Sequence, residues 1–96
     1  QGYKFKDKYF EFMAYIINYS EEKDLINSLK KFNNKELDII RNYPYALAGY
    51  DFAREDLKKY FSQFFWYNPV GKNVEIAPLY NRIVKAVDKV KAKRKK

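Results

Sequence analysis

The chain has 96 residues and a net charge of +8, with 47% hydrophobic and 33% charged side chains, a length for one domain and a composition able to bury a core. It contains no Cys, no His and no Thr, which removes disulfides, thiol nucleophiles, zinc fingers and imidazole bases before any motif is sought. No apolar run approaches the roughly 20 residues that a membrane-spanning helix needs.

Apolar spacing predicts helix almost throughout. Tyr9, Phe12, Met13, Ile16 and Ile17 recur at three- and four-residue intervals, after a charged start at Lys6, Asp7 and Lys8 and before a stop near Tyr19. Ser20 is the expected N-cap of a second helix, with Glu21 and Glu22 where the helix dipole favours negative charge, and Leu25, Ile26, Leu29 and Phe32 as its stripe. That helix should end at the Asn33, Asn34 pair. Either Asn can cap a third helix, with Glu36 three residues after Asn33 in the position of a capping box and Leu37, Ile40 and Tyr43 facing inward. Pro44 lacks a backbone donor and crowds the carbonyl four residues back, so a kink or break is expected near Tyr43, with a separate short turn over residues 45–48. Gly49 reads as the stop.

Asp51 is the nearest available cap for a fourth helix whose buried side is Leu57, Tyr60, Phe61 and Phe64, and residues 63–67 should leave that helix. Phe64 and Phe65 are adjacent and point about 100 degrees apart on a helix, so one of the pair should be exposed. Residues 68–73 hold the densest turn signals, and 74–76 are open to an extended conformation. Pro78 suits the first turn of a last helix, whose apolar face is Leu79, Tyr80, Ile83, Val84, Val87 and Val90. The expected architecture is all-α, a small single domain of about five short helices with a basic C-terminal helix and tail.

The charge is uneven. Residues 85–96 carry Lys85, Lys89, Lys91, Lys93, Arg94, Lys95 and Lys96 against Asp88, so most of the net charge lies there and residues 1–84 form a nearly balanced body. The basic end has three readings: a solvated helix end whose cations suit the C-terminal dipole, a tether to anionic polymer or lipid, or a nucleic-acid contact. The first is the default, since runs of like charge are usually solvated, and no base-reading residues surround the run. The aromatic content also has a plain explanation. Lys, Asn, Tyr, Phe and Ile make up about half of the chain and all have A- and T-rich codons, so base composition alone can supply both basicity and aromatics.

From residue 37 to residue 69 the chain resembles the YARHG domain, a module of bacterial secreted proteins and lipoproteins, sometimes found beside peptidase domains. The pattern starts with Leu37, Arg41 and Asn42, continues through Tyr45, Ala46, Gly49, Tyr50 and Phe52, and resumes at Leu57, Tyr60, Phe61, Ser62, Trp66, Tyr67 and Pro69. Leu47 and Ala48 stand where the family has its Arg and His, and Pro44 stands at an aliphatic position. If that Arg and His bind a ligand, this chain has lost the function; if they are structural, the site has been repacked. The resemblance implies a helical fold, an extracytoplasmic location in a bacterium (periplasmic, cell-surface or secreted), and a role at the envelope or wall without a reaction. Gln1 and Gly2 are either a tag-cleavage scar or a mature end left by export.

Candidate binding residues are Arg41 and Asn42, where a guanidinium could clamp a carboxylate or phosphate, and the aromatics Tyr45, Tyr50, Trp66 and Tyr67, which could form a platform for a glycan or peptide. Each has a structural alternative, Arg41 as a tie to a local carboxylate or carbonyl and the aromatic cluster as core. The acidic pairs Glu21, Glu22 and Glu55, Asp56 lie near helix starts, where the dipole accounts for them. With serine only at Ser20, Ser28 and Ser62 and no imidazole, no catalytic residue, cofactor or metal is expected and the chain is read as not an enzyme. The leading expectation is a binding or accessory module for a cell-wall or envelope component or another secreted protein, with no specific nucleic-acid partner. Its rival is a basic adaptor that binds nucleic acid or another polyanion through Lys85, Lys89, Lys91, Lys93, Arg94, Lys95 and Lys96.

Overall fold

The computed structural model describes residues 8–16 and 21–95. Its elements are α1 (Lys8–Ile16), α2 (Glu22–Leu29), α3 (Asn34–Leu47), α4 (Glu55–Ser62) and α5 (Pro78–Arg94). The all-α class read from the apolar spacing is the one the chain adopts, and the sheet-like pairing among the described residues is a lone parallel bridge between Tyr50 and Gly71. The charged start at Lys6 and Asp7, the contribution of Ile17, the stop near Tyr19, the Ser20 cap, the Gln1-Gly2 end and Lys96 lie outside the described residues.

Helix α3 is the spine. α1 and α4 pack on it, and α5 lies against both α3 and α2. Its inward stripe is the expected one, with Leu37, Ile40 and Tyr43 fully buried. Leu25 and Leu29 of α2, Leu57 and Phe61 of α4, and Ile83, Val84, Val87 and Val90 of α5 close the core around it, with Met13 from α1. The terminal helix is thereby part of the core down to its last turns. Val87 and Val90 sit between Lys85 and Lys91, so burial and the basic run share one helix.

Several local expectations need correction. Pro44 does not break α3, which runs through it without interruption to Leu47. The proline sits in the last turn, where only the bond its missing N–H would have made to Ile40 is lost, and its ring is fully buried in compensation. The N-cap of α2 is Glu21, whose side chain makes no capping bond. The cap of α4 is Arg54, because Asp51 is drawn into the extended segment that pairs with Gly71, its N–H donating to the Gly71 carbonyl at 2.9 Å. Leu79 belongs to no apolar face and is 48% exposed. Of the adjacent aromatics, Phe64 is buried and Phe65 is 66% exposed. Residues 63–67 do leave the helix, and 74–76 form no strand.

The capping box at the start of α3 is formed as expected. The Glu36 N–H donates to Asn33 Oδ1 at 2.8 Å and the Asn33 N–H to Glu36 Oε1 at 3.0 Å. The second carboxylate oxygen of Glu36 accepts from the Tyr9 hydroxyl at 2.9 Å and lies 3.5 Å from Lys8 Nζ, so the cap also fastens α1 to α3. The Asn33 backbone donor, and after it Tyr9, hold the Glu36 pKa below its ordinary value. The unfolded chain therefore binds a proton at this carboxyl more readily than the folded one, so its contribution is complete above the ordinary glutamate value of about 4.3 and disappears as pH falls through the lowered one. Glu36→Gln keeps an acceptor and a side chain suited to the box but cannot titrate. Urea melts at neutral and acid pH should show a shallower acid loss for the variant than for the parent; parallel acid limbs would remove Glu36 from the pH dependence.

Candidate functional site

The motif segment is first a way of ending a helix. After Leu47 the chain turns through Ala48 to Gly49, which has φ +91, a conformation that side chains with a Cβ disfavour. The Gly49 N–H donates to the Ala46 carbonyl at 3.0 Å and the Tyr50 N–H to the Tyr45 carbonyl at 2.9 Å. These are the two bonds of a Schellman cap, and the contact between flanking side chains that usually accompanies it is the Tyr45–Tyr50 pair, rings edge to face at 6.1 Å. The spacing Tyr45, Ala46, Gly49, Tyr50 is therefore the chemical description of this corner.

The second half of the pattern is sewn onto the first. The Val70 N–H donates to the Gly49 carbonyl at 2.8 Å, and the Tyr67 hydroxyl donates to the Tyr50 carbonyl at 2.5 Å. Burial raises the Tyr67 pKa and keeps that hydroxyl in its donor form. Behind the corner Phe52 stacks on Phe61 at 5.3 Å, and Phe61 meets Tyr43 edge to face at 5.1 Å. Trp66 lies flat on Phe64 at 5.3 Å, with its ring centre 5.9 Å from Tyr43. Trp66 and Tyr67 are half-buried flanks of this cluster, so the aromatics are mostly core, with the Tyr67 hydroxyl turned to backbone.

Arg41 and Asn42 lie on the other side of α3, towards α5. The Arg41 guanidinium grips Asp88 of α5 bidentately, Nε to Oδ1 at 2.7 Å and Nη2 to Oδ2 at 3.2 Å, and that bond raises the Arg41 pKa further. The Asn42 amide donates to the Asp38 carbonyl one turn back at 2.8 Å. Asp38 in turn receives Lys91 of α5 and, at 3.4 Å, Arg54. Arg54 also holds Asp56 at 3.1 and 2.7 Å, which lowers the Asp56 pKa. Two neighbouring clefts open along this network. One, of about 300 Å³, is lined by Arg41, Asn42, Tyr50, Phe52, Ala53, Arg54 and Leu57, and the other, of about 450 Å³, includes Asp38, Asp88, Lys91 and Lys95.

The structure thus brings Arg41, Asn42 and Tyr50 to one cleft and places Tyr45, Trp66 and Tyr67 outside its lining. Arg54, Asp38 and Asp88 were not singled out from the sequence. Arg54 is two residues from Asp56 in the chain, a local signal; its approach to Asp38 depends on how α4 meets α3 and leaves no trace in spacing. Leu47 is 41% exposed, so the position where the pattern has Arg faces outward, and the expected alternative of a repacked site does not apply to it.

The basic end is divided. Lys89 pairs with Glu22 at 2.8 Å, Lys91 with Asp38, and Arg94 donates to the carbonyls of Lys30 and Phe32 at 3.0 and 2.8 Å and to Asn34 Oδ1 at 2.9 Å. Arg94 in this way satisfies carbonyls left over where α2 ends. Lys85, Lys93 and Lys95 are exposed and make no ion pair among the described residues. Among the described residues no helix is long and apolar enough to cross a membrane.

The sequence model of the YARHG domain family matches residues 13–92, a stretch that starts within α1 and ends within α5. No curated protein and no solved structure matches the chain.

Proposed function

The chain belongs to the YARHG domain family, an extracytoplasmic type of domain, and from that premise we propose that it serves as a non-catalytic binding or accessory module at the bacterial envelope or wall. The observation that carries the reading is the cleft where Arg41, Asn42 and Tyr50 meet Arg54 directly beside the motif corner. In support, Tyr67 and the backbone of Ala46, Gly49, Tyr50 and Val70 are engaged in building the corner, as a scaffold for a surface requires. The ligand-facing groups in this proposal are Asn42, Arg54 and the edge of Tyr50, with Arg41 held in place by Asp88. Tyr45, Trp66 and Tyr67 act by keeping the corner closed.

The test is co-sedimentation of the full chain with purified peptidoglycan, with duplex DNA as the rival ligand. Removing residues 85–96 would take Val87 and Val90 out of the core, so the tail is better tested by the charge-removing triple variant K85Q/K93Q/K95Q. Wall binding should survive that variant and persist at about 1 M salt, where the screening length is roughly 3 Å. It should weaken several-fold in Asn42→Ala combined with Arg54→Gln. Binding to DNA alone, lost with the triple variant and with salt, would replace this reading with the polyanion adaptor.

A further inference from the structure

A third cleft, of about 440 Å³, opens between the start of α3 and the length of α4, sharing Leu57 with the smaller cleft described above. Its floor is apolar, made by Ile39, Leu57 and the ring of Tyr60, and its rim carries Lys35, Lys59, Asp56 and Gln63. The rim groups differ in what remains available to a ligand. The Asp56 carboxylate is gripped bidentately by Arg54, and the Gln63 amide donates to the Tyr60 carbonyl at 2.8 Å. Lys35 and Lys59 enter no ion pair among the described residues. In the smaller cleft beside Arg41 both guanidinium groups are held by carboxylates; this one pairs an apolar floor with two ammonium groups, one from each helix, that enter no ion pair among the described residues.

We infer that the α3–α4 cleft is a binding site for a small monoanionic amphiphile, an apolar chain ending in a carboxylate, with the chain on Ile39, Leu57 and Tyr60 and the carboxylate between Lys35 and Lys59. The volume falls within the range of about 300 to 1,000 Å³ typical of small-molecule sites, which are mainly apolar with a few polar groups that fix orientation. A purely polar anion would leave the floor wetted, and a neutral chain would leave both lysines without a partner, so the two halves of the cleft ask for both halves of the ligand. Two lysines are too few to hold a polyanion, and the Asp56 carboxylate on the same rim weighs against a head group carrying more than one negative charge. The assignment stands apart from the wall-binding proposal, since it concerns other residues and another ligand.

The probe is decanoate below its micelle concentration, titrated into the full chain and followed by methyl NMR, with decanol and acetate as partial ligands. Saturable shifts are expected at the Ile39 and Leu57 methyls with decanoate, weaker ones with decanol and none with acetate. The surface double variant K35Q/K59Q should weaken decanoate roughly five- to tenfold while leaving decanol unchanged, as expected for two partly solvated ion pairs. Equal affinity for decanoate and decanol, undiminished decanoate binding in the variant, or shifts that map away from α3 and α4 would each overturn the proposal. Because the readout is ligand binding in solution, a failure here leaves the peptidoglycan result untouched, and the reverse also holds.

Discussion

Phe61→Ala should be among the most destabilising single substitutions in this chain, costing about 3–5 kcal/mol as large-to-small changes of buried aromatics do. The ring is fully buried and stands at the meeting point of the cluster, with Tyr43, Phe52 and Tyr60 within 5.3 Å and Trp66 and Tyr67 somewhat further out. Its neighbours come from α3, from the corner and from the segment after α4, so no single element can shift to fill the space left behind. A domain of this size has a total stability near the low end of roughly 5–15 kcal/mol, and the variant should approach the threshold of unfolding. Four residues along, Phe65 is mostly exposed, and Phe65→Ala should cost no more than about 1 kcal/mol. Urea titration of the two variants side by side checks both statements. If the Phe61 variant lost less than its neighbour, the cluster would not be the centre of the core.

That contrast shows how far periodicity reads into the fold. The stripe Leu37, Ile40, Tyr43 and the stripe Ile83, Val84, Val87, Val90 are legible because each lies on one long helix and each is buried as spaced. The same method overreaches at Leu79, which continues the stripe backwards into the first turn but is itself 48% exposed, while its neighbour Tyr80 packs against the core. Pro44 illustrates a different limit. Its local chemistry disfavours helix, but the cost is small in a last turn and the buried ring offsets it, and neither the distance to the helix end nor the burial is visible from the residue alone. Asp51 fails as a cap for a tertiary reason: its backbone is claimed by Gly71, twenty positions on.

The site follows the same division. The stop at Gly49 was legible, since a glycine after an apolar stripe signals a left-handed helix end, whereas the bonds and ring contact by which Tyr45 and Tyr50 close the corner were not. The clefts were not. Arg41 is a sensible clamp by residue type, and only the register of α5 against α3 reveals that Asp88 already fills it. The basic run likewise reads as a solvated tail by composition, whereas Lys89 reaches α2, Lys91 reaches α3 and Arg94 reaches the turn between them, leaving Lys85, Lys93 and Lys95 without an ion pair among the described residues. Charge counts carry no information about which partner lies across a helix interface.

Gly49→Ala should cost about 2 kcal/mol, well beyond the ordinary glycine-to-alanine change, which at a compatible position is stabilising by about 0.4–1 kcal/mol. Two effects act together. At φ +91 an L side chain is strained, and the added Cβ would lie 3.1 Å from the Asn68 carbonyl oxygen and 3.1 Å from Val70 Cγ2. The two contacts are unequal. Val70 is 73% exposed and free to rotate away, whereas Asn68 presents backbone that is held in place when the Val70 N–H bonds to Gly49. Adding Val70→Ala to the variant should therefore recover only a small part of the loss. Gly49→Asn should fall between glycine and alanine, because Asn tolerates the left-handed region better at the same Cβ position. An alanine variant as stable as the parent would mean that the corner does not need its glycine. If the prediction holds, the damage should spread to the Tyr67–Tyr50 bond and loosen Trp66, which a blunted tryptophan fluorescence shift on unfolding would register, tying the glycine of the motif to the cleft that Tyr50 helps to line.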